Sequence, residues 1–451
     1  MEKKLESSHR KVKNMKIFLF ASIFVFSACQ LESNNANIQS GNAKVKPTDP
    51  PQSAQNNSPQ TTKNNPPSST KNKLDLNDMS ILSPLPKNEK DLSKMLALSG
   101  NIDSKQYTLV NVEIFDKLKT LATKQKISIE GSSNDSFDAW KIVGFRFDPC
   151  FPFAKFESPN ECESVELRLV AQPVVNLLDS LTTNDFTMHL VYHISLSDRA
   201  RVAKELLELS KLSPVDTSNT PLGIHPGLMS AGIQSEFYNK FASFVTKNMS
   251  LQNLKQVAFM GLEAGVEPWN FFFVTVNGNS ISDAKQFRSF GFVSSTPVTN
   301  VPNVTNVPNV ASSFTIAPKP TSANNLWSIF QTGVAKATEK QMSVTLTIDN
   351  PSVMSQGDTD CASCHATTPA RISWETNNQK ILNRTGTSAF KLTNNDALGG
   401  NITTKLADKM QQPTSWSVRN FGYFHTSPII ADRTFNETMQ ATVFVNRNFL
   451  K

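Results

Sequence analysis

The stretch DAWKIVGFRFD, residues 138–148, sets the tightest limit on what this chain can fold into. Apolar and polar positions alternate around Trp140, Ile142, Gly144 and Phe145, the period-two pattern of a strand with one face buried. SVELRLVAQPVV (164–175), DFTMHLVYHIS (185–195), KQVAFMGLE (255–263) and WNFFFVTVNG (269–278) read as further strands, rich in β-branched and aromatic residues. Helical spacing replaces this pattern in SDRARVAKELLELSKL (197–212), with Ser197 as N-cap, and in QSEFYNKFASFVTKNM (234–249). Strands interspersed with helices, some strands adjacent in sequence, point to an α+β domain over residues 74–295.

Two polar tracts bound that body. From Ser33 to Lys73 the chain is almost wholly Asn, Ser, Pro, Gln, Thr and Lys. Such a stretch buries too little apolar surface to offset the entropy of ordering, so residues 29–73 read as a disordered tether. TNVPNVTNVPNV (299–310) places proline at every sixth position, which excludes helix and interior strand and makes residues 296–322 a linker. Beyond it, residues 323–451 form a smaller module, within which VTLTIDNP (344–351) reads as a strand.

At the other end, a basic start (Lys11, Lys13, Lys16) precedes an apolar run from Ile17 to Phe26 that is too short to span a bilayer. Phe26-Ser27-Ala28-Cys29 resembles the lipobox of bacterial lipoproteins, with Phe26 where leucine is usual. The resemblance implies a signal peptide over residues 1–28, cleavage before Cys29 and acylation of its thiol, which would anchor the protein to a membrane surface. Gln30 rather than Asp after the cysteine implies the outer membrane. The formal charge of +7 falls to about +3 without residues 1–28. No basic face with interleaved aromatics stands out, so nucleic acid is set aside as a partner.

Cys150 and Cys162, twelve residues apart between two expected strands, are the pair expected to bond in an oxidising compartment. A loop of that size would gain roughly 3 kcal/mol on the chain-entropy account. The remaining two cysteines lie in CASCH, residues 361–365, which resembles the attachment motif of c-type cytochromes. That resemblance implies thioethers from Cys361 and Cys364 to one covalent haem c, with His365 as proximal iron ligand. Met410 or His425 is the expected second ligand, and Arg371 and Arg419 could pair with propionates. A redox dithiol, a zinc site using Cys361, Cys364 and His425, and a plain disulfide are the rival readings of the same residues.

His189 and His193, four apart in MHLVYHI, fall on one strand face and could meet a metal or supply a distal ligand. His225, between Gly and Pro, serves its loop. The segments GFRFDPCF…ELRLVAQP and RNFGYF…RTFNET resemble exported bacterial lipoproteins that pair a cysteine-bearing sheet domain with a late CxxCH. That resemblance implies the architecture and leaves the reaction open. The expected role is one-electron transfer between a donor and an acceptor touched transiently. The alternatives are a surface-binding or structural lipoprotein without a redox role, and a peroxidase-like enzyme.

Overall fold

The computed structural model describes residues 71–124, 127, 135–151, 162–177, 180–184, 186–217, 220–263, 266–282, 285–286, 329, 334–354, 361–383 and 419–450. The signal segment, Cys29, the Pro/Asn/Val linker and Met410 lie outside these residues. Lys71, inside the stretch read as tether, has its side chain in an ion cluster with Asp75 (2.7 Å) and Asp78 (2.5 Å).

Helix α1 (Leu76–Met79) leads into β1 (Ser80–Leu82), followed by α2 (Glu89–Leu92), the hairpin β2 (Ser99–Ile102) and β3 (Lys105–Thr108), and α3 (Val112–Lys124). Long strands come next: β4 (Trp140–Phe151), β5 (Ser164–Leu177), the short β6 (Ser180–Thr183) and β7 (Thr187–Ile194). Helices α4 (Arg199–Ser210), α5 (Pro226–Ala231) and α6 (Glu236–Asn248) precede β8 (Leu254–Glu263), β9 (Val266–Asn277), β10 (Ser280–Ile281) and β11 (Lys285–Gln286). The C-terminal part adds α7 (Glu339–Ile348), α8 (Cys361–Asn378), the hairpin β12 (Phe421–Phe424) and β13 (Ser427–Ile430), and α9 (Asp432–Asn448).

Among the described residues the main sheet runs β1-β4-β5-β7-β8-β9-β10, with β6 beside β5 and β11 beside β9. Its pairings are antiparallel, so the architecture is α+β as the sequence pattern implies. Cys150 and Cys162 are joined, with Cα atoms 4.9 Å apart, where β4 and β5 end their pairing.

Register assigns the faces. One row across the sheet reads Phe145, Leu169, Leu190, Val257, Val274. Helix α6 covers that row through Phe241 and Phe244, whose rings sit 5.9 and 5.6 Å from Phe145. The adjacent row, on the opposite face, reads Gly144, Val170, His189, Ala258, Phe273. A second row on that face contains Arg146, Arg168, Val191, Gln256 and Thr275.

The face carrying arginines is not solvated, which corrects the reading of β4 as a strand with one buried face. Arg146, Asp148 and Glu166 are all buried. The C-terminal elements cover them. A Cβ on Gly144 would approach Phe421 Cε1 to 2.7 Å, so the absence of a side chain lets β12 seat on β4. Gln172 on β5 donates from Nε2 to the Tyr423 carbonyl (2.9 Å) and accepts the Tyr423 N–H on Oε1 (2.8 Å). Its amide thereby takes the place of a strand partner for the hairpin. Helix α9 is held by Asn446, which accepts the Leu74 N–H and donates to the Leu74 carbonyl, both at 2.9 Å. Residues from both sides of the 296–322 segment share one apolar core, and all described residues belong to one compact unit.

Two local expectations change. Residues 344–348, read as strand, lie in α7. Thr338 caps its N-terminus with Gln341 in a reciprocal capping box, and Met342, Thr345 and Leu346 turn a helical face inward. Intrinsic β preference of Val, Thr and Ile is worth a few tenths of a kcal/mol and yields to that packing. At α4, Ser197 is not the N-cap. It sits inside a 3₁₀ turn (Leu196–Asp198) whose cap is Ser195, which accepts the Ser197 N–H.

Candidate functional site

Helix α8 opens on Cys361, so Cys361, Cys364 and His365 stand at i, i+3 and i+4 on one helical face. Two side-chain bonds, from Thr367 and Trp374, and a link from Asp349 to α9 hold that helix in place. At the end of α7, Asp349 accepts from Thr367 Oγ1 (2.8 Å), and its carbonyl accepts from Asn436 Nδ2 (2.7 Å) on α9. Trp374 donates from Nε1 to the Ala337 carbonyl (2.7 Å). Pro369 removes the helical N–H that would otherwise bond the His365 carbonyl four residues back.

His365 is 7% exposed, and its ring lies against the sheet. The ring centroid is 5.2 Å from Phe271 on β9 and 5.8 Å from His189 on β7, with the two imidazole planes at 87°. Burial drives the His189 imidazolium well below the usual range, and the nearby charges of His365, Arg168, Arg146 and Arg419 act in the same direction. Its ring is therefore neutral at pH 7.

Cys364 forms no disulfide. Its Sγ receives a contact from Asn420 Nδ2 at 3.2 Å, and burial pushes the thiol up to about 12. A thiol held protonated in this way is itself a poor nucleophile. Among the described residues the element before α8 is helix α7, which ends at Ile348.

A second ion cluster, built from the sheet and α9, lies alongside Cys364 and His189. Glu437 on α9 accepts from Arg146 Nη2 (2.7 Å) and from Arg433 Nε (2.6 Å). Arg433 also donates from Nη1 to the carbonyls of Ile348 and Met354, each at 2.7 Å. Asp148 lies 2.8 Å from Arg168 Nε, and Arg168 pairs with Glu166. The RFD (146–148) and ELR (166–168) segments of the sheet thus meet RTFNE (433–437) from the C-terminal part. No protein-family model matches the chain, and no curated protein or solved structure does either.

The other expected site residues separate. His425 has φ +53° at the exposed turn of the β12–β13 hairpin; its ring packs on Phe424 and its carbonyl accepts from Thr183 Oγ1 (2.9 Å). Five residues of extended chain, roughly 16 Å, separate it from Asn420, the residue that touches Cys364. This removes His425 from the zinc reading. His193 contacts Glu166 at 3.4 Å, and four residues of strand put it about 13 Å from His189, too far to share an ion. Among the described residues no group of three or more His, Cys, Asp or Glu is placed to hold a metal ion.

Arg371 and Arg419, offered as propionate partners, are both buried and engaged within the protein. Arg371 pairs with Asp432, Asp349 and Glu375, and Arg419 donates to Thr187 and to the Asn184 carbonyl. Phe271, Asn420 and the ion cluster escaped sequence reasoning. Charged residues two apart inside apolar strands (Arg146 and Asp148, Glu166 and Arg168) were the available signal, because an inward charge requires a partner from elsewhere.

Proposed function

We propose that this chain is an exported, lipid-anchored envelope protein carrying one haem c, and that it passes single electrons between a donor and an acceptor. Cys361 and Cys364 would hold the group through thioethers, and His365 would be the proximal ligand. The observation that carries this reading is the shared helical face of the three residues, with the His365 ring directed onto an aromatic and imidazole surface of the sheet. The donor chemistry fits: two sulfurs and one imidazole at CxxCH spacing, with a second neutral imidazole beside the first.

When bound, the group supplies a one-electron Fe(III)/Fe(II) couple. The chain's own residues supply the rest. Asp349, Thr367 and Trp374 fix the helix that carries the ligand set. Phe271 and the apolar members of the sheet face exclude water and lower the local dielectric, which tunes the potential. Among the described residues no helix is long and apolar enough to cross a membrane; in this reading acylated Cys29 supplies the membrane attachment.

The test is production of the chain, signal included, in a host with a cytochrome c maturation system. Intact mass should show one covalent haem, with a matching pyridine haemochrome spectrum. Cys361→Ser with Cys364→Ser should abolish both. Colourless wild-type protein would sink the reading.

A further inference from the structure

We propose that His189, on the central strand β7, is the second axial ligand of the iron held by His365, an inference that rests on the haem reading above. The sheet body and the CxxCH helix would then each supply one side of the site.

Two imidazoles ligating one metal from opposite sides have ring centroids about 6 Å apart, since each metal–nitrogen bond is about 2 Å and the ring centre lies roughly 1 Å beyond. The observed separation of His189 and His365 is 5.8 Å. Their perpendicular planes are compatible with this role, because the plane of each ligand ring need contain only its own metal–nitrogen direction.

His189 is also held where a ligand must be held. It pairs with Val170 on one side and Ala258 on the other, in the interior of the sheet, so its Cα cannot shift without breaking two ladders. The helix opposite is pinned independently through Asp349 and Asn420. The other described histidines are committed elsewhere. His425 sits at a distant turn, His193 contacts Glu166, and His225 caps α5 by accepting the Gly227 N–H on Nδ1 (3.1 Å). The inference also gives the large sheet a purpose that a small electron carrier would not otherwise require. It becomes the rigid support of half the ligand set.

The test uses full-length holoprotein, with covalent haem verified first by intact mass. Ferric wild type should be low-spin by optical and electron paramagnetic resonance spectra. His189→Ala should retain the covalent group and become high-spin, and added imidazole should restore the low-spin state. His189→Met, which keeps a ligating side chain, should stay low-spin with a raised midpoint potential, as expected when methionine replaces histidine. A His189→Ala protein that keeps both its haem and its wild-type spectrum would overturn the proposal. Should that variant fail to fold, an unchanged potential in His189→Met would overturn it instead. Wild type without covalent haem is a separate result, which removes the haem reading itself.

Discussion

Replacing Glu437 with Gln tests whether the C-terminal helix is locked to the sheet by buried charge. Glu437 is 3% exposed and serves two guanidiniums at once, Arg146 at 2.7 Å and Arg433 at 2.6 Å. Removing one member of a buried ion pair costs about 3–5 kcal/mol, because the partner charge is left without compensation. Both arginines keep some support. Arg146 retains Asp148 at 3.3 Å, and Arg433 retains the carbonyls of Ile348 and Met354. The loss should therefore fall at the lower end, about 3 kcal/mol.

The same interaction should appear in the pH dependence of stability. Burial alone would raise the Glu437 carboxyl, but Arg433, Arg146 and Arg168 outweigh it and hold it at about 2 instead of the ordinary 4.5. A folded value below the unfolded one means the stabilisation is fully present above pH 4.5 and lost as pH falls toward 2. Over that window it amounts to about 3 kcal/mol at 1.4 kcal/mol per unit. The assay is urea unfolding of wild type, Glu437→Gln, Arg146→Met and the double variant at pH 7, repeated at falling pH. The gap between wild type and Glu437→Gln should close between pH 4.5 and 2, and the double-variant cycle should show coupling. A loss under about 1 kcal/mol at pH 7, the range of solvated pairs, would refute the idea of a buried lock.

Two further outcomes follow from other positions. His225 is fully buried, stacks on Phe237 at 4.7 Å and is held down to about 3 from 6.5, by burial first and then by the charge of Lys71. The His225 share of the stability should therefore be complete above pH 6.5 and fall by about 2 kcal/mol on going to pH 5, because the unfolded chain takes up the proton first. His225→Asn keeps a capping oxygen for Gly227 and should remove that share from the pH slope in urea unfolding, leaving the part due to His189; an unchanged slope would exclude His225 as a source. Gly144→Ala should lower stability by about 1–3 kcal/mol, because the added methyl group would lie 2.7 Å from Phe421 Cε1 in a closed interface. Thermal melting reads this, and a melt identical to wild type would mean that β12 does not seat on β4.

The strands were legible because period-two alternation depends only on neighbouring residues. MHLVYHI announced that His189 and His193 share a face, and the register across β5, β7 and β8 has them do so. Which of them would meet the CxxCH helix was not legible. His189 and His365 are far apart in the chain, and nothing local to either histidine distinguishes it from a surface residue. VTLTI was misread for a related reason. Its composition favours a strand, and the capping box of Thr338 and Gln341 together with burial against α8 made it a helix.

The sequence alone determined the α+β class, the two long hydrophobic hairpin strands bracketing Cys150 and Cys162, and the one place where two thiols and an imidazole share a spacing that chemistry can use. Only the tertiary structure decided that the charged face of the sheet is an interior surface. Arg146, Asp148, Glu166 and Arg168 look solvated until Arg433 and Glu437 arrive from the far end of the chain. The physical reason is that a buried charge is tolerable only when its partner is present, and that partner can lie anywhere in the sequence. The same holds for the imidazole that faces His365.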